Sequence, residues 1–275
     1  MDERAAVAAV QDPVTVGSLV RDLDALGLAA GDIVLLHSSL SSLGWVSGGG
    51  VAVVTALLEV LEPGGTLVAP THSGDLSDPA HWGNPPVPEA WWDVIRATMP
   101  AYHPDITPSR AMGSIAEIVR RWPDASRSAH PQVSFAAVGP AAKSLLAGHA
   151  LAYSLGERSP LARLYDADAL VLLLGVGHDR NTSLHLAEYR SAARQPVQEA
   201  APVLVQGRRE WATFADIDLD PSDFPAIGAE LEAVGAVRLG PVGAATARLM
   251  RQRQAVDHAT RWLQERATSG SGGGL

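Results

Sequence analysis

Residues Leu170 to Arg190 read LVLLLGVGHDRNTSLHLAEYR, and the first half of this stretch decides the fold. An unbroken apolar run closed by Gly175 and Gly177 is the signature of a strand buried on both faces, the kind that parallel sheets contain. Asn181, Thr182 and Ser183 follow as candidate N-caps, so a helix begins near His185. Ligands of open α/β sheets sit outside the carboxyl ends of the strands, which makes Gly177-His178-Asp179-Arg180 the expected edge of a site. His185 and Glu188 are spaced to share one face of the helix, so an imidazole and a carboxylate can share a pocket. By position alone His185 fits equally well as a hydrogen-bonded structural residue of a first helical turn.

Working outward, the same alternation recurs. Val16 to Leu26 predicts a helix, Asp32 to His37 a strand, Val51 to Leu61 a helix stopped by Pro63-Gly64-Gly65, and Thr66 to Pro70 the next strand. Further on, Met112 to Arg121 and Ala141 to Leu146 predict helices and Phe135 to Val138 a strand. Pro202 to Phe214 predicts an antiparallel pair turning at Gln206-Gly207-Arg208, and Gly243 to Arg266 contains a long amphipathic helix. From Thr71 to Pro108 prolines and glycines are dense around Trp82, Trp91 and Trp92, and so long an irregular insertion serves as a binding loop or lid. The expectation is an α/β protein with a mainly parallel, helix-flanked central sheet and a smaller mixed or antiparallel lobe. One domain spans 1–267, with its lid at about 71–108 and a flexible tail at 268–275.

A chain of 275 residues can bury a large core. It contains no cysteine, which excludes disulfides, thiolate metal sites and a cysteine nucleophile. A formal charge of −9 argues against nonspecific nucleic-acid binding and suits a cationic ligand. No basic segment followed by an apolar core opens the chain and no stretch reaches the length of a membrane span, so a cytoplasmic location is expected. Monomer and homodimer both stay open.

Two further clusters carry chemistry. His37-Ser38-Ser39-Leu40 follows the first strand, and its amides and hydroxyls can hold an anion. The endings of a P-loop and of a dinucleotide fingerprint are absent, which disfavours a nucleotide hydrolase. His37 bonded to backbone carbonyls of the turn is the alternative. Ser126-Arg127-Ser128-Ala129-His130-Pro131 packs cation, hydroxyl and imidazole into one turn, where Arg127 suits a phosphate and a plain surface turn is the alternative.

Taken together, Leu35-Leu36-His37-Ser38-Ser39-Leu40, Gly64-Gly65-Thr66-Leu67-Val68, Arg127-Ser128-Ala129-His130-Pro131, Ser159-Pro160-Leu161-Ala162-Arg163 and the opening segment resemble the aminoglycoside 3-N-acetyltransferase (antibiotic N-acetyltransferase) family, in the family's order. GVGHDRNTSLHLAE is similar to the branch that includes the apramycin- and gentamicin-acetylating enzymes. The resemblance implies acetyl-CoA as co-substrate and an aminoglycoside amine as acceptor. It implies that His37, Ser38, Ser39 and Leu40 border the thioester, and that Arg127, Ser128, His130, Ser134 and Phe135 wall the CoA side. Ser109, Arg110, Met112 and Gly113 would approach the pantetheine or pyrophosphate, although the chain departs from the family pattern around Asp105 to Ser109. Asp75, Asp179, Glu188, Asp216 and Asp218, with His185, would receive the ammonium groups of the acceptor. The branch carries a Cys/His cluster that looks metal-binding where this chain has Asp220-Pro221-Ser222, so no metal is expected.

In that reading His185 is the general base and Glu188 orients it, while His37 and the serine turn stabilise the oxyanion. His37 and His185 can exchange roles. A serine hydrolase using Ser38, His185 and an aspartate is the alternative of another class, although no Gly-x-Ser-x-Gly elbow surrounds Ser38. A non-catalytic CoA-binding or drug-binding protein is the third.

Overall fold

The computed structural model describes residues 3–270. Helices α1 (Glu3–Ala8) and α2 (Val16–Leu26) precede strand β1 (Ile33–Ser38), and α3 (Gly49–Leu61) leads to β2 (Thr66–Pro70). Then come α4 (Trp92–Thr98), α5 (Gly113–Arg120), β3 (Ser126–Arg127), β4 (Phe135–Val138), α6 (Ala142–Leu146), α7 (Pro160–Asp166) and β5 (Leu170–Leu174). The chain continues through α8 (His185–Ser191), β6 (Pro196–Val205), β7 (Arg208–Ile217), α9 (Phe224–Ala233), β8 (Val237–Val242), β9 (Ala245–Arg251) and α10 (Gln252–Gly270).

A seven-stranded sheet, in the order β3-β4-β2-β1-β5-β9-β8, forms the centre. Its heart is the parallel trio β2-β1-β5, and antiparallel strands extend it on both sides. The trio is apolar except at Thr66, His37 and Ser38, because both of its faces are covered. Val34, Leu36, Leu172 and Leu174 point into a core shared with α2, α3 and α5. Leu35, Val171 and Leu173 point into a second core shared with α6 to α10. The period of two along each strand thus splits one hydrophobic run between two helical layers.

Two differences from the sequence reading have physical causes. The segment Gly243 to Arg266 holds the strand β9 before its helix, and β9 pairs with β5 from Leu170↔Arg251 to Leu174↔Ala247. Ala245-Thr246-Ala247-Arg248-Leu249-Met250 has high helix propensity, and the open edge of β5 overrides it. At the C-terminus, α10 runs on to Gly270, so the first residues of the expected tail are helical; 271–275 lie outside the described residues.

Hairpin β6-β7 forms the separate two-stranded lobe and grips the proline-rich insertion. The Arg209 guanidinium donates to the carbonyls of Met99 (2.9 Å) and Arg96, and Tyr102 N–H donates to Pro202 O at 3.2 Å. The insertion itself contains α4, held by the pair Arg96–Asp78 at 2.7 Å. Among the described residues no helix is long and apolar enough to cross a membrane.

Candidate active site

The three parallel strands end at one cavity of about 960 Å³, and each delivers an imidazole to it: His72 just past β2, His37 in β1, and His185 beyond β5. Backbone constraints bring the last two together. Ser39 N–H donates to Leu174 O at 3.0 Å, which ties the serine turn to the end of β5. Gly175 lets β5 leave beneath that turn: its φ is +70°, and a Cβ there would lie 2.7 Å from Ser42 Cβ. Asn181 Oδ1 then accepts from Ser183 N–H (3.2 Å) and Ser183 Oγ–H (2.5 Å), capping the turn that launches α8.

His185 and Glu188 form a hydrogen-bonded pair, Nδ1 to Oε2, at 2.5 Å. Glu188 is fully buried, and its second oxygen accepts from Arg194 Nε (2.5 Å) and Asp220 N–H (3.0 Å). Arg194 also donates to Asp220 O at 2.6 Å. A buried carboxylate is tolerated only when paired and hydrogen-bonded, and each oxygen here has its donors. Donation from Nδ1–H to the carboxylate fixes the tautomer that leaves the Nε2 lone pair for a substrate. Phe224 packs against the imidazole at a centroid distance of 4.9 Å and holds the ring plane.

His37 and His72 are different. Each has an Nε2 that is buried without a hydrogen-bond partner. Burial, followed by the neighbouring His185, holds both imidazoles down to about 3, so both are neutral at physiological pH.

Of the expected cofactor residues, Ser38, Ser39, Leu40, Met112 and Gly113 join His37 on the cavity wall. The Ser39 hydroxyl accepts from Ser42 Oγ at 2.9 Å and lies 3.2 Å from Ser41 Oγ. Arg110 is exposed, with its guanidinium 3.6 Å from Asp75, while Ser109 N–H donates to Glu117 at 2.7 Å.

The Arg127 cluster is bonded within the protein and is absent from the cavity lining. The Arg127 guanidinium donates to Thr71 O (2.7 Å), Thr71 Oγ1 (3.1 Å), Ser134 Oγ (3.0 Å), Pro104 O (3.1 Å) and Thr107 O, so its donors are turned inward rather than toward a phosphate. Ser128 Oγ accepts from Phe135 N–H at 2.9 Å and bonds His149. His130 spans Leu151 O and the amides of Gln132 and Val133, and Ser134 and Phe135 are fully buried. These residues pin the strand extension that carries His72.

The acidic set divides as well. Asp179 is exposed on the cavity wall beside Arg180, at 3.0 Å. Asp216 is buried, accepting from Tyr189 OH (2.5 Å) and Ser154 N–H (3.2 Å), and Asp218 is exposed outside the cavity lining. Both oxygens of Glu188 are taken by protein donors, His185 on one and Arg194 with the Asp220 amide on the other.

Sequence reasoning missed His72 and Arg194. His72 was legible as a polar residue just past the carboxyl end of a parallel strand; Arg194 carries no local signal, since a chain reversal after α8 brings it to Glu188. A further contact holds the loop: His178 Nε2 bonds Glu232 at 2.9 Å and packs so closely on Gly228 that a Cβ there would lie 2.0 Å from its ring.

Residues 35–264 match the family model described as Aminoglycoside 3-N-acetyltransferase. The chain is 47% identical over 252 residues to the SPbeta prophage-derived aminoglycoside N(3')-acetyltransferase-like protein YokD of Bacillus subtilis, covering 91% of this chain and 93% of that one. The crystal structure of YokD superposes with a TM-score of 0.95 at 44% identity, over 96% of this chain and 98% of the other. Aminoglycoside N(3)-acetyltransferase VIII of Streptomyces fradiae is 38% identical over 99% of this chain and all (100%) of its own length. A solved binary complex of AAC-IIIb with CoASH matches with a TM-score of 0.83 at 31% identity, over 93% of this chain and 98% of that one.

Proposed function

This chain belongs to the aminoglycoside 3-N-acetyltransferase family, and on that premise we propose that it moves the acetyl group of acetyl-CoA directly onto the 3-amino group of a 2-deoxystreptamine aminoglycoside. The observation that carries the mechanism is the His185-Glu188-Arg194 chain opening into the cavity. A protonated amine cannot attack a thioester. The acceptor therefore reacts as the free amine, its ammonium proton given up to solvent beforehand; His185 Nε2 takes one of the two remaining N–H protons as the nitrogen bonds to the acetyl carbon, while Glu188 stabilises the imidazolium that forms. The same imidazolium returns the proton to sulfur as the carbon–sulfur bond breaks, so the base is regenerated.

The wall formed by His37, Ser38, Ser39, Leu40, Met112 and Gly113 suits the acetylated end of the co-substrate, with amides at the turn and apolar surface beside it. Asp179, exposed on the wall of a protein with a formal charge of −9, is the carboxylate placed to receive an ammonium group. A serine hydrolase built on Ser38 fits less well, because no Gly-x-Ser-x-Gly elbow surrounds Ser38.

The test is thiol release from acetyl-CoA against a panel of deoxystreptamine aminoglycosides that includes apramycin and gentamicin, with the acetylated nitrogen located by NMR. Acceptor-dependent release and a 3-N-acetyl product are expected. Acetylation at another amine, or release without any acceptor, contradicts the reading.

A further inference from the structure

The mechanism so far leaves His72 without work. His178 and His258 also carry an unpartnered buried ring nitrogen, but each ring lies against a glutamate (Glu232 at 2.9 Å, Glu230 at 3.4 Å) and neither lines the cavity. His149 bonds Ser128 Oγ at 3.0 Å and Ser154 O at 2.7 Å, and His130 bonds Leu151 O and two backbone amides. Both of their ring nitrogens are satisfied. His72 instead lines the cavity with a buried Nε2 that has no partner, and an unsatisfied buried nitrogen costs stability.

The backbone around it is fixed as a catalytic group requires. Thr71 N–H donates to Ser134 O (2.8 Å) and Ser73 N–H to Gln132 O (2.7 Å), so the strand direction of β2 continues past Pro70. Ser73 Oγ donates to Pro131 O at 2.7 Å, and Arg127 clamps Thr71 from below. Arg110 N–H holds the carbonyl of His72 itself at 2.7 Å. Phe135 supports the ring edge-on, at 5.5 Å between centroids. The elaborate pinning by Arg127, Ser128, Ser134 and Phe135 thus acquires a purpose.

We propose that His72 is a further catalytic residue, donating a hydrogen bond to the acetyl oxygen as negative charge develops on it during transfer. The inference rests on the acetyltransferase reading above. In the step concerned, the amine nitrogen bonds to the acetyl carbon, the carbonyl π electrons move to oxygen, and the amine proton goes to His185. His72 keeps its proton throughout. Because burial keeps it neutral, it presents one N–H without opposing the positive charge that His185 acquires.

His72→Phe and His72→Gln test this, with steady-state kinetics for both substrates and thermal unfolding on each. Removal of one oxyanion donor typically lowers kcat about a hundredfold to a thousandfold. That loss is expected in His72→Phe, with both KM values within about threefold of wild type and an unfolding midpoint equal or higher, since an apolar ring replaces a desolvated imidazole. His72→Gln, which retains an N–H donor, should recover at least about tenfold of the lost turnover. A His72→Phe protein with more than about a third of wild-type kcat overturns the proposal. So does a loss of turnover that tracks a lowered unfolding midpoint and is no better in His72→Gln, because that pattern belongs to a packing residue. If the wild-type protein releases no thiol with any aminoglycoside, the functional reading fails and takes this one with it; an active wild type beside a fully active His72→Phe removes only the role of His72.

Discussion

Replacing Glu188 with glutamine keeps the shape of a fully buried side chain and removes its charge. The carboxylate accepts three hydrogen bonds, from His185 Nδ1 at 2.5 Å, Arg194 Nε at 2.5 Å and Asp220 N–H at 3.0 Å. A glutamine has one oxygen for these three donors and an NH₂ group that must face one side. If the oxygen keeps Arg194 and Asp220, the NH₂ faces Nδ1 and forces the proton onto Nε2, where the base should be. A wrong tautomer of this kind costs about 10⁴ in kcat. If the oxygen keeps His185, the NH₂ confronts the guanidinium, and breaking a buried pair costs about 3 to 5 kcal/mol of stability. Glu188→Gln is therefore expected to lose between a hundredfold and ten-thousandfold in kcat, or to unfold at visibly lower denaturant, with the acetyl-CoA KM of folded protein little changed. Thiol release and urea unfolding on the same preparation measure both. A variant with unaltered unfolding and more than about a tenth of wild-type turnover refutes the assignment of Glu188 as the orienting group.

Acid should destabilise the protein well before its carboxylates titrate. Burial holds His37, His72 and His149 down to about 3 and His130 to about 4, so as pH falls below about 6.5 the unfolded chain binds protons that the folded one refuses. Stability is then fully present above that pH and falls by up to about 1.4 kcal/mol per pH unit for each histidine; urea midpoints that stay flat between pH 7 and 5 would contradict this. Arg127→Ala strips donors from the carbonyls of Thr71, Pro104 and Thr107 and should cost about 3 kcal/mol or more, while the acetyl-CoA KM of the folded fraction changes little. A selective rise in that KM with normal stability would return Arg127 to the cofactor. Asp179→Asn should raise the aminoglycoside KM a few-fold and leave that for acetyl-CoA unchanged, with salt narrowing the difference; equal effects on both substrates count against an ammonium contact.

The legible part of the fold was the part with strong periodicity. The run Leu170–Leu174 and its parallel neighbours have to be apolar on both faces, and the residues just past their carboxyl ends then mark the site. The spacing of His185 and Glu188 on one helical face likewise gave the dyad directly. What stayed hidden depends on tertiary competition. Strand β9 is built from residues that favour helix, and only the open edge of β5 makes it a strand. Arg127 has the chemistry of a phosphate ligand, and sequence cannot show that neighbouring carbonyls already hold its donors. Arg194 meets Glu188 across a chain reversal that no local pattern announces.

The most direct measurement of the central claim is the rate of acetyl transfer by His185→Ala beside its affinity for acetyl-CoA. Loss of a general base costs about a hundredfold to ten-thousandfold in rate, so turnover should fall by at least that lower figure. Acetyl-CoA affinity and thermal unfolding should match wild type. A folded His185→Ala protein that keeps more than about a tenth of wild-type turnover near neutral pH contradicts the account, because even the weakest base catalysis exceeds tenfold.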